Sequence, residues 1–230
     1  MSSSDSSSHA AHGQGGAASA HASPWYLAHH FDNIETQNHA VRLGMWLFLG
    51  TEVLLFAGLF LGYTVYRWLY HPTFKAAAAT LNLYAGAGNT LVLITSSFTV
   101  ALGYHAIKEN KIRKCAGYLA VTIAFALIFL VVKYFEYAHK FHEGQLPGRH
   151  YSYEGISLPG ANIFYSVYFL ATGLHAFHVV VGMSILAWLM FRVMKGKYSS
   201  QHYVPVELGA LYWHLVDLIW IFLFPLLYLI

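Results

Sequence analysis

Five long apolar runs, separated by short polar segments, fill the chain from about Leu43 to Ile230. About 20 consecutive mostly apolar residues, wound as a helix, cross the hydrocarbon of a bilayer. The runs therefore predict membrane-spanning helices over about 41–66, 81–107, 115–138, 163–191 and 206–230. The expected fold class is all-α: a polytopic membrane protein, a bundle of five transmembrane helices. The connection Tyr70–Thr80 reads as a short polar loop. The segment His142–Asn162 is the longest connection between helices, and its turn residues predict an ordered cap on one membrane face. Pro225 sits inside an apolar run and is expected to kink or end the last helix.

Ahead of the first run, Met1 to about Ser23 is a Ser/Gly/Ala/His tract. It has too little apolar surface to offset the entropy of ordering, so it reads as a disordered tail. His9, His12 and His21 could catch metal, but no cysteine accompanies them, and a solvated tail is the plainer reading. Pro24–His39 reads as an interfacial lead-in, with Trp25 and Tyr26 at headgroup level. The expected division is thus a tail and lead-in over 1–38 and a transmembrane domain over 39–230. No secretory signal is expected, since no Lys or Arg precedes Arg42.

Composition agrees with the pattern. The chain is 57% hydrophobic and 10% charged, against about a quarter charged in an ordinary soluble domain. A net charge of +3 spread over short loops excludes a nucleic-acid patch. The single Cys115 cannot form an internal disulfide and reads as structural. The flanks of alternate spans divide the basic residues unevenly. Arg42, Lys108, Lys111, Arg113, Lys114, Arg192, Lys195 and Lys197 fall on one side, and Arg67, Lys75, Lys140 and Arg149 on the other. This bias puts the N-terminus in the cytoplasm and the C-terminus in the periplasm of a bacterial inner membrane.

The spans carry groups that hydrocarbon rejects. An ionisable side chain at mid-membrane costs from about 3 kcal/mol upward, so each should face the bundle interior or a partner. Glu52 has no basic neighbour at helical spacing, and is expected neutral or hydrogen-bonded to another helix. Gly58 and Gly62 form a small-xxx-small step open to a close helix approach. Asn82 with Asn89, and Thr95 with Thr99, suit helix–helix hydrogen bonds. Lys133 and Glu136 suggest an ion pair near a membrane surface with a snorkelling lysine. His175 with His178, and His214 with Asp217, are pairs three apart on single faces, and Glu207 lies on the stripe of His214. His214 and Asp217 could equally bond each other or another helix.

The last two spans hold Thr172-Gly173-x-His175-x-x-His178-Val179-x-x-Gly182, then Ser200-x-His202 and Glu207-x4-Tyr212-Trp213-His214-x-x-Asp217-x-x-Trp220. Arg42-x-Gly44-Met45, Glu52-Val53-Leu54-x-Phe56 and Glu136-Tyr137 fit the same pattern. From Arg42 to Ile230 the chain resembles subunit III of the haem-copper respiratory oxidases. The resemblance implies a subunit without haem or copper of its own. It would pack on a catalytic subunit I beside subunit II, hold phospholipid in a cleft and support proton-coupled turnover. Glu52, Glu136, His175, His178, Glu207, His214 and Asp217 become cleft, lipid or interface positions. Five spans resemble the short bacterial form rather than the seven-helix mitochondrial one, whose first two helices wall the lipid cleft. Thr51-Glu52-Val53 looks more like the cytochrome c branch than the quinol branch. Haem types, lipid species and membership of a supercomplex stay open.

Two other classes compete. In a haem or metal carrier, His175, His178 and His214 would be ligands. At 1.5 Å per residue, however, His178 and His214 differ in depth by roughly 8 Å. A transporter or proton channel would use Glu52, Glu136 and Asp217 as relays, but no inverted repeat or pair of broken helices is present.

Overall fold

The computed structural model describes residues 26–29, 31–147, 151–153, 155–156 and 158–230. The tail histidines and Trp25 lie outside the described residues. The described residues divide into two compact units, one ending at Ala40 and the other spanning Val41–Ile230. In the first, Gln37 clasps the lead-in: its Nε2 donates to Tyr26 O at 3.0 Å, and its Oε1 accepts from Ala28 N at 2.7 Å.

The described residues form six helices: α1 (Ile34–Leu69), α2 (His71–Ala78), α3 (Leu83–Lys108), α4 (Ile112–His142), α5 (Ala161–Met194) and α6 (Val204–Tyr228). All but α2 are long and apolar enough to cross a membrane. The expected loop Tyr70–Thr80 is instead largely helical. Pro72 in the first turn and the Ala76–Ala79 run favour helix, and Thr73, Phe74, Ala77 and Ala78 bury one stripe. Nor does Pro225 end α6, which continues to Tyr228. The carbonyl of Leu226, in the last turn where no intrahelical donor remains, accepts from the Tyr63 hydroxyl instead.

Helices α3, α4, α5 and α6 pack each against the next, and α6 closes back on α3, making a four-helix bundle with α2 against α5. Close approach depends on missing side chains. A Cβ on Gly182 would lie 2.9 Å from the Trp213 ring, and one on Gly86 2.8 Å from Phe224. Helix ends α3, α4 and α5 reverse through left-handed Asn110, Gly144 and Gly196. In each, the next amide bonds back to a carbonyl of the last turn: Lys111 to Ala106, Gln145 to Lys140, Lys197 to Arg192.

Helix α1 is attached differently. No backbone stretch of its membrane part packs closely on the other helices, and its partly or fully buried residues include Arg42, Met45, Leu49, Glu52, Phe56, Leu59 and Tyr63. These alternate by three and four, a single heptad seam. Among the described residues, nothing beyond the adjoining backbone of α1 lies within 4 Å of a Cβ built on Gly58 or Gly62, so no other described helix uses the small-residue step.

Candidate functional site: the polar couples of the bundle

Polar side chains join α1 to the bundle along that seam. Near its start, the Arg42 guanidinium donates to both oxygens of Glu207, at 3.2 and 2.8 Å. Ten residues on, Glu52 Oε2 lies 2.9 Å from His178 Nε2 on α5. Toward the far end, Tyr63 reaches Leu226. Glu52 is therefore not isolated, and Glu207 is a fork–fork partner rather than a companion of His214. A planar guanidinium suits such a bidentate pair better than an ammonium would.

The His178 ring is fixed at both nitrogens. Nδ1 is 2.8 Å from the Leu174 carbonyl, which only accepts, so Nδ1 carries a proton. Between Nε2 and Glu52 one further proton is shared. Imidazolium with carboxylate and imidazole with carboxylic acid are both neutral overall, so the couple brings no net charge into the membrane. The Phe56 ring meets the imidazole edge-on, with centroids 5.3 Å apart.

His214 and Asp217 do not bond each other; both turn to α3. His214 Nδ1 lies 2.6 Å from Ser97 Oγ. Ser96 donates to Asp217 at 3.3 Å and accepts from the Trp213 indole at 3.0 Å. Asp217 Oδ1 is buried without a partner. His175 is buried against Phe129 and Trp220, and neither of its ring nitrogens has a hydrogen-bond partner among the described residues. Of the amide and threonine pairs, Asn89 reaches the Phe129 carbonyl and Thr99 reaches Thr122 across to α4. Asn82 instead caps α3, and Thr95 bonds within its own helix.

The largest correction concerns Lys133, which does not snorkel. It is 4% exposed and donates to Glu136, Tyr168 and Tyr228 at 3.0–3.1 Å. Both tyrosine hydroxyls in turn donate to the other oxygen of Glu136, at 2.7 and 2.6 Å. Charge and hydrogen bonds close on themselves, the condition for a buried pair to be tolerated. A spacing of three on one helix is enough to find the pair, but not Tyr168 and Tyr228, which stand on other helices.

A groove of about 800 Å³ separates α1 from α6, lined by Trp46, Leu47, Leu54, Leu211, Leu215 and Leu218, with His214 at one wall. Among the described residues no three His, Cys, Asp or Glu side chains are placed to share a metal. His175, His178 and His214 each engage different neighbours.

Comparison with known proteins follows the same lines. The family described as cytochrome c oxidase subunit III matches residues 24–230. A cytochrome c oxidase subunit 3 of Thermostichus vulcanus is 32% identical over 189 residues, 82% of this chain and 86% of that one. One from Synechocystis is 32% identical over 188 residues, 81% of this chain and 74% of that protein. A probable cytochrome c oxidase subunit 3 of Mycobacterium tuberculosis is 32% identical over 190 residues, covering 83% and 88%.

Proposed function

The chain belongs to the cytochrome c oxidase subunit III family, and from that premise we propose that it is the accessory, redox-inactive subunit of a proton-pumping cytochrome c:oxygen oxidoreductase. Family membership makes it an integral membrane subunit of an oxidoreductase complex, associated with other oxidase subunits. The finer reading is that it packs on catalytic subunit I beside subunit II in a bacterial inner membrane. Haem and copper reside in those partners, and this chain holds phospholipid.

The observation that carries the accessory role is how Glu52 and His178 are used. Both His178 nitrogens are occupied, by Leu174 and Glu52, which leaves no lone pair for iron or copper. The couple fastens α1 to α5 rather than opening to a partner. The apolar groove between α1 and α6 suits acyl chains, and the basic residues flanking alternate spans support a cytoplasmic N-terminus.

The test is Glu52→Gln in the assembled oxidase. A glutamine amide can still donate to His178 Nε2, so the complex should assemble and its initial oxygen consumption should stay within about twofold of wild type. Normal assembly with the initial rate abolished would make the carboxyl chemically required and the accessory reading wrong.

A further inference from the structure

Beside the closed Lys133–Glu136 pair lies a second buried lysine with no such closure. Lys140, one helical stripe along α4, is 2% exposed. Its ammonium has three N–H donors, and it makes one hydrogen bond, to Gln145 Oε1 at 2.9 Å. The rings of Tyr165 and Tyr168 flank it at 5.6 and 5.8 Å. Glu136 faces the same space, but its oxygens are taken by Lys133, Tyr168 and Tyr228. The nearby Glu143 is exposed and paired with His139 at 3.1 Å. Among the described residues one positive charge is therefore left over inside the fold.

The polar atoms around it are short of acceptors. Gln145 is fully buried, and its Nε2 has no partner. The left-handed turn at Gly144 folds Gln145 back over Lys140. The Tyr151 hydroxyl is likewise buried without a partner among the described residues. Tyr151 pairs with Gln145 through a β-bridge and stacks on Tyr165 at 5.7 Å. Lys140 lines a pocket of about 390 Å³ that opens toward the N-terminus of the 26-residue helix α3. A helix N-terminus presents free amides and favours negative charge. Thr80, Asn82, Glu136, His139 and Lys140 form the polar lining of the pocket, the Glu136 carboxylate being held by Lys133, Tyr168 and Tyr228, while Val132 and Phe135 add apolar wall.

From this surplus of donors and charge we infer that the pocket between the start of α3 and the last turns of α4 binds a phosphate group, with Lys140 as its counter-ion. A phosphate supplies both the missing charge and several acceptor oxygens. It could be carried by a phospholipid headgroup, its chains along Val132 and Phe135, or arrive as free phosphate. The site is separate from the α1–α6 groove and does not depend on the role proposed for it.

The full chain, purified in phosphate-free detergent, is titrated calorimetrically with dioleoyl phosphatidylglycerol, dioleoylglycerol and inorganic phosphate. Wild type and Lys140→Arg should bind a phosphate-bearing ligand at least tenfold more tightly than Lys140→Met. Dioleoylglycerol should not distinguish the three. Tighter binding of the phospholipid than of inorganic phosphate assigns the lipid source, and the reverse order assigns free phosphate. Equal affinity of wild type and Lys140→Met for both phosphate-bearing ligands overturns the inference, as does an equal loss for dioleoylglycerol. Should Lys140→Met fail to fold, Lys140→Gln keeps a polar side chain and removes the charge. It should weaken binding at least tenfold, and unchanged affinity overturns the inference there.

Discussion

The Glu52–His178 couple makes a prediction that depends on its closed geometry. Its side chains are 16% and 10% exposed, so a stranded partner has little access to solvent. Leucine at either position leaves the other group without its bond. An unsatisfied buried polar group costs about 1–3 kcal/mol, whereas replacing both partners by apolar groups can be nearly neutral. Glu52→Leu and His178→Leu should each destabilise by about 1–3 kcal/mol. The double variant should fall within about 1 kcal/mol of wild type, the residue being the lost ring contact with Phe56. The assay is reversible unfolding of the full chain in mixed micelles, with increasing sodium dodecyl sulfate, followed by far-ultraviolet circular dichroism. A double variant as unstable as the sum of the singles would mean that the two side chains act independently. The shared proton and the tie between α1 and α5 would then be wrong.

Further outcomes follow from neighbouring geometry. Lys133→Met strands Glu136 inside the bundle and should cost about 3–5 kcal/mol in the same assay, with much of it recovered in Lys133→Met/Glu136→Gln; a mild single variant would refute the closed network. Gly182→Ala puts a Cβ 2.9 Å from the buried Trp213 ring and should cost about 1–3 kcal/mol, while Gly58→Ala, with nothing within 4 Å, should leave the isolated chain as stable as wild type or more so. Burial and the nearby Arg192 lower the proton affinity of His202, between α5 and α6, below its ordinary value of 6.5. The unfolded chain therefore takes up that proton first, and the contribution of neutral His202 is complete above about pH 6.5 and declines as pH falls. The stability lost in His202→Asn should shrink between about pH 7.5 and 5.5; a loss that grows toward acid would reverse the sign.

The spans were legible because hydrocarbon thickness sets their length: α1 starts seven residues before its expected range, and every other end of the five spanning helices lies within four residues of the expected one. Helix α2 escaped notice because it is too short to span, and its one buried stripe lies in a segment that also contains Lys75, Thr73 and Pro72. The individual polar groups were visible, since a carboxylate or histidine inside an apolar run stands out. Their partners were not. Spacing within a helix tells which residues share a face, so Lys133 with Glu136 could be found. Which helix that face meets depends on packing, and Tyr168, Tyr228, Ser96 and Ser97 are ordinary residues until another helix brings them to a charge.

The attachment of α1 shows where that limit lies. Its seam alternates by three and four from Arg42 to Tyr63, yet a hydrophobic pattern cannot reveal it, because the residues facing lipid are as apolar as those facing the bundle. The contrast lies in the polar members instead. Arg42, Glu52 and Tyr63 stand ten and eleven residues apart, about 80° short of and about 20° past three turns, and so fall within one face about 100° wide. Spans that start on the same membrane face also place their first turns at one depth. Arg42 at the start of the first span and Glu207 at the start of the fifth are such a pair, and their observed bond fixes α1 parallel to α6. Tyr63 repeats nearly the same offset at Leu226. In a helix surrounded by lipid, then, the inward face is marked by its few polar groups, and the same groups that fasten α1 to the bundle leave its remaining surface apolar and uncovered by this chain.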